Sequence, residues 1–106
     1  MPNICRMMYK ISEKANEDIE EIWLYTAETW SVQQADRYYN MILDEIEYIA
    51  EHPLCGRDYS DVRERYRCLK VKSHLIFYKH VANEKFVEII RILHQKMDIE
   101  ERLKDS

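Results

Sequence analysis

At 106 residues, 46% of them apolar and with one Gly and two Pro, the chain is sized for one compact unit around one core, residues 1–106, with no second domain and no low-complexity linker. Cys5, Cys55 and Cys68 are an odd set without regular spacing, which argues against a disulfide framework and for a reducing compartment, the cytoplasm, while no stretch reaches the roughly 18 apolar residues of a membrane span. The net charge of −4 is unevenly spread: residues 1–52 carry four Lys/Arg against eleven Asp/Glu, whereas residues 53–96 carry ten against five.

Residues 1–10 lack a continuous apolar signal core, and residues 1–6 read as an upstream start or a flexible lead-in. Met7, Tyr9 and Ile11 then alternate with Met8 and Lys10, the period of a short strand ending at Ser12, whose hydroxyl suits a helix cap. Ala15, Ile19, Ile22, Trp23, Ala27 and Trp30 recur at three- and four-residue intervals, predicting an amphipathic helix of about four turns. Ser31 followed by Gln34 has the form of a capping box and opens a second helix. Its stripe of Ala35, Tyr38, Tyr39, Ile42, Ile46, Ile49 and Ala50 runs to Pro53, which forces the preceding residue out of helical geometry. With so short a break, the two helices are expected to form an antiparallel hairpin, with Trp23, Tyr39, Ile42 and Ile46 in its packing.

After a loop of Pro53, Leu54, Cys55, Gly56 and Arg57 the period changes to two. Arg67, Leu69 and Val71 alternate with Tyr66, Cys68 and Lys70, then Leu75 and Phe77 with His74, Ile76 and Tyr78, and residues 86–93 are nearly all β-branched or apolar. Short connections at Lys72 and Ser73 and at residues 82–84 predict an antiparallel three-stranded meander. The expectation is an α+β fold: an N-terminal strand, a helical hairpin, the meander, and a short final helix or tail over residues 97–104.

Segregated charge suggests one surface suited to an acidic partner, and Arg63, Arg65, Arg67, Lys70 and Lys72 are the dense cations least needed for folding. Strand alternation sets Arg91 with Ile89 and Leu93 on one face and His94 on the other. Arg91 in an ion pair with a carboxylate such as Asp98, and His94 on a backbone carbonyl, is as good a reading as target contact. His74 and Tyr78 share a face with Ile76 and suit packing at the core edge.

In order along residues 8–103, these segments resemble the ParE-type toxins of the RelE/ParE toxin–antitoxin superfamily: the helix start at 15–22, the junction at 30–35, the Pro53–Arg57 loop, the Arg67 strand, the 74–78 strand and the 91–98 ending. The last two are the most specific. One departure is Lys72 and Ser73, where many members place a Gly. The resemblance implies a growth-arresting toxin that blocks DNA gyrase and is held silent by a ParD-like antitoxin whose extended C-terminal segment wraps it, forming a hetero-oligomer. The RelE-type branch is the alternative, an enzyme that cuts messenger RNA on the ribosome. Such cleavage needs a base, an acid and cations for the phosphate. That branch commonly supplies an Arg in the central strand, where this chain has Leu75, so an inhibitory binding protein is the expectation. Arg63, Arg65, Arg67, Lys70, Lys72, Arg91, His94 and Met97 are the candidates for contact with antitoxin or target.

Other classes fare worse. A helix-turn-helix reader of DNA would place the acidic half of the chain against phosphate. His52, Cys55 and Cys68 lack the paired spacing of a zinc site, and with Gly56 alone there is no Gly-rich phosphate loop, so neither metal nor nucleotide cofactor is expected. The antitoxin would bind by strand addition or by laying a helix in a groove, and the free toxin is expected to self-associate through apolar surface left uncovered.

Overall fold

The computed structural model describes residues 8–80 and 85–104. The lead-in of residues 1–6, Met7 and the connection at residues 82–84 lie outside the described residues. The elements are β1 (Met8–Ile11), α1 (Glu13–Thr29), α2 (Val32–Glu51), β2 (Arg57–Asp58), β3 (Tyr66–Val71), β4 (His74–His80), β5 (Phe86–His94) and α3 (Ile99–Leu103). Both helix starts form where the serines stand: the Ser12 hydroxyl accepts from the Ala15 amide and the Ser31 hydroxyl from the Gln34 amide, each 3.0 Å away.

The strands form one sheet in the order β1-β5-β4-β3-β2. β1 lies parallel to β5 at one edge, the helical hairpin crosses a face, and β2 to β5 return antiparallel to meet β1. β2 was not legible in the sequence, being two residues long and starting on Arg57, the last residue of the expected loop. One core lies between hairpin and sheet, where Ile42, Ile46 and Ile49 of α2 meet Ile76, Tyr78, Val87, Ile89 and Ile92. Each fully buried aliphatic side chain there contributes about 1.5–3 kcal/mol. The other face carries a smaller cluster of Tyr66, Cys68, Phe77, Ile90 and Leu93, closed by Leu103 of α3.

The apolar helix positions do not all pack as expected. Tyr39 is exposed, and Trp30 is 69% exposed at the end of α1. Trp23 is half-buried and donates through Nε1 to Asp36 across the hairpin at 2.9 Å. The stripe that reaches the sheet is narrower than the apolar stripe of the sequence, because two helices resting on a sheet also turn apolar positions outward and to one side. A bulge alters β5 as well: Phe77 pairs with Arg91 but Tyr78 with Ile89, leaving Ile90 as the extra residue. Ile89 therefore belongs to the helix-side core and Leu93 to the opposite face, not to one face as strict alternation required.

The loop before β2 is locked to the core by Tyr78. Its buried hydroxyl accepts from the Gly56 amide at 2.9 Å and donates to the Pro53 carbonyl at 2.8 Å. A Cβ on Gly56 would lie 2.6 Å from that oxygen, so the close approach of the tyrosine, not backbone conformation, requires glycine. Arg67 completes the lock, donating to the Gly56 carbonyl at 2.7 Å.

Candidate functional site

A groove of about 640 Å³ opens between the hairpin and the His74/His94 end of the sheet. It forms because β1 covers β5 only from Phe86 to Ile89, while β5 continues to His94. α1 runs beside the uncovered margin, and its side chains meet the backbone groups that a strand would have taken. Ser12 donates to the Ile90 carbonyl at 2.8 Å. Asp18 accepts from the Ile92 amide at 3.0 Å.

Asp18 also holds Arg91, with Nε at 2.8 Å from Oδ2 and Nη2 at 3.0 Å from Oδ1. The pair is nearly buried, with side chains 12% and 11% exposed, and the carboxylate holds the guanidinium pKa above its ordinary value. The partner of Arg91 is thus Asp18, 73 positions away, and not Asp98. Asp98 instead caps α3, accepting from the Glu101 amide at 3.3 Å.

The groove has an apolar lining and two charged ends. Tyr25, Trp30, Met41, Ile92 and Met97 supply the apolar surface. Asp18 and Glu21 mark the α1 side, Arg37 and Lys72 the α2 side, and His74 and His94 stand on the sheet. The two histidines are a directly opposed cross-strand pair with ring centroids 5.1 Å apart. His94 Nδ1 accepts from the Lys96 amide at 3.1 Å, so its partner is a backbone N–H and not the expected carbonyl. The turn after β5 folds this amide back onto the ring, and a neutral His94 must then carry its proton on Nε2. His74 Nδ1 lies 2.7 Å from the Tyr38 hydroxyl, which also donates to the Val71 carbonyl at 3.0 Å. Burial, with His94 alongside, pushes the His74 pKa down to about 4.

The sequence candidates therefore separate. Lys72, His94 and Met97 line the groove, and Arg91 borders it through Asp18. Arg67 is engaged with the loop carbonyls. Arg63 reaches the Lys104 carbonyl and stacks on Tyr66, Arg65 is exposed in the turn before β3, and Lys70 is exposed on β3. These four lie away from the groove. His74, read as core-edge packing, sits inside it together with Tyr25, Trp30, Arg37 and Tyr38. A second helical row was the available signal: Asp18, Ile22, Tyr25 and Thr26 recur at three- and four-residue spacing beside the core stripe.

Residues 9–99 match the family described as ParE toxin of type II toxin-antitoxin system, parDE. This chain belongs to the ParE toxin family. Among curated ParE proteins, Toxin ParE1 of Caulobacter vibrioides is 40% identical over 90 residues, covering 85% of this chain and 91% of its own. Toxin ParE1 of Mycobacterium tuberculosis H37Rv is 37% identical over 95 residues, covering 90% and 96%. The chromosomal ParDE system of Pseudomonas aeruginosa contains a chain of the same fold, with a TM-score of 0.72 at 16% identity over 85% of this chain and 97% of that one. The toxin–antitoxin complex RelBE2 of M. tuberculosis gives a TM-score of 0.61 at 15% identity, covering 84% and 98%. A chain of the RelBE2 complex thus shares this fold, and fold alone does not separate a ParE-type from a RelE-type activity.

Within this ParE-family chain, position 75 lies on the sheet face away from the groove. Leu75 pairs with Leu93 and packs with the Phe77 cluster.

Proposed function

We propose that this chain is the growth-arresting toxin of a type II toxin–antitoxin pair, that it acts in the cytoplasm by binding DNA gyrase without chemistry of its own, and that a cognate ParD-like antitoxin silences it. Membership of the ParE family supports the first part. The observation that carries the non-enzymatic reading is the hydrogen bond from the Lys96 amide to His94 Nδ1. That bond occupies the Nδ1 lone pair with which this tautomer of His94 would take a proton. Its neighbour His74, with a pKa near 4, is too weak a base to serve at neutral pH. Arg91, a cation that could otherwise meet phosphate, is held through Nε and Nη2 by Asp18 and through Nη1 by the Arg102 carbonyl.

The apolar groove supports the antitoxin part of the reading: an amphipathic segment laid across it covers Trp30, Tyr25 and Met97. The decisive experiment is induction in cells with parallel assays of gyrase supercoiling and ribosomal mRNA cleavage. Lost supercoiling with intact message is expected; cut message with normal supercoiling overturns the reading. Co-expression with the protein of the neighbouring reading frame is expected to restore growth and raise soluble yield.

A further inference from the structure

The two ends of the groove differ in what they offer a partner. On the α1 side Asp18 is already neutralised by Arg91 and the Ile92 amide, leaving the exposed Glu21. On the opposite side stand Arg37 and Lys72, both exposed and neither ion-paired among the described residues. Between them the two imidazoles rest on the sheet, with both Nδ1 atoms already engaged within the protein. No buried side-chain nitrogen lacks a partner among the described residues, so the unbonded Nε2 atoms are open to solvent, and the groove is the space these rings line. His94 presents Nε2–H, a donor. Two cations and an imidazole donor lining the same apolar trough are complementary to a carboxylate.

We propose that this end of the groove, formed by Arg37, Lys72, His74 and His94, is a carboxylate-receiving subsite that takes an acidic side chain of the antitoxin segment. The assignment rests on reading the groove as the antitoxin's seat. It adds an orientation: the segment's Asp or Glu lies over the β3–β4 turn, and its apolar face lies toward Tyr25 and Trp30. It also adds a proton linkage. A carboxylate beside His74 opposes the burial and the neighbouring His94 that keep that ring neutral, so binding raises the affinity of His74 for a proton. The charged and titratable groups facing the imidazole pair are Asp18 and Glu21 from α1, Arg37 and Tyr38 from α2, and Lys72 from the turn. Asp18 is held by Arg91, and among the described residues lining the groove Glu21 adds negative charge on the far side. The complex is therefore tighter as pH falls through the raised pKa of the bound His74 toward its free value of about 4, by at most tenfold per pH unit for one linked proton.

The test is a titration of the full chain, with 15N-labelled histidines, by acetate and in parallel by acetamide, a neutral probe of the same shape, at low ionic strength. Acetate is expected to shift the imidazole nitrogens of His74 and His94, to raise the His74 pKa, and to bind more tightly as pH falls. Acetamide is expected to do none of these. Arg37→Gln, an exposed substitution that leaves the core untouched, is expected to weaken acetate binding several-fold. His74→Gln is expected to abolish the pH dependence of acetate binding. Equal response to acetate and acetamide, or acetate binding indifferent to Arg37→Gln, overturns the subsite. Growth arrest upon induction reports the toxin reading separately: arrest without acetate binding removes only the subsite, and acetate binding without arrest removes only the toxin reading.

Discussion

Each end of β4 is fastened by a tyrosine hydroxyl, and the two fastenings behave differently. At one end Tyr78 is wholly buried and bridges Pro53 and Gly56, with no water needed. At the other, Tyr38 is only half-buried, and it bridges the Val71 carbonyl to a histidine that opens on a groove. The same chemistry thus serves closure at one end and leaves adjustable, titratable groups at the other. What decides between them is coverage: the Tyr78 end lies beneath the Pro53 loop, while the Tyr38 end opens on the groove, where β1 stops at Ile89 and β5 continues to His94.

The largest effect is expected at the closed end. Gly56→Ala forces a methyl against the Tyr78 oxygen, and urea unfolding should show a loss of about 2–4 kcal/mol from overpacking and the strained buried bond. A loss below about 0.5 kcal/mol would show that the loop shifts freely. Next is the pair at the groove margin. Arg91→Gln leaves the nearly buried Asp18 carboxylate with the Ile92 amide as its main partner, and should cost about 2–3 kcal/mol in thermal or urea unfolding.

The open end should show itself in pH dependence. His74 has a folded pKa of about 4 against its ordinary 6.5, so between those values the unfolded chain binds a proton that the folded chain does not. Stability is therefore full above 6.5 and falls as pH drops toward 4. The loss is on the order of 2 kcal/mol once solvent screening of this half-buried ring is allowed for. His74→Gln should flatten that part of the stability–pH curve, and an unchanged slope would remove the assignment. The smallest effect on stability is expected at Trp30. Its exposed ring supports little of the fold, so Trp30→Ala should change unfolding free energy by no more than about 0.5 kcal/mol. The same substitution should weaken binding of the co-expressed antitoxin by at least about tenfold, measured by calorimetry.

The backbone plan was legible because its signals are local. Ser12 and Ser31 announce the helices within one turn, Pro53 ends the second, and the alternation of residues 66–78 names two strands. Family membership was likewise readable from ordered segments. The site was legible only in part: Lys72, His94 and Met97 reach the groove, whereas Arg67 is consumed in holding the Gly56 loop. A positive charge in a sequence carries no mark of whether a carbonyl or a partner will claim it.

Sequence by itself determined the order of elements, the helix caps, the apolar stripes and the chain's kinship, because each depends on neighbours a few residues apart or on ordered motifs. Only the tertiary structure decided that Ile90 bulges, that Arg91 pairs with Asp18, and that His74 and His94 stand side by side at the groove. Those facts follow from where β1 stops along β5 and how α1 lies against the uncovered margin. They join parts of the chain some 11 to 73 positions apart, which no local period encodes.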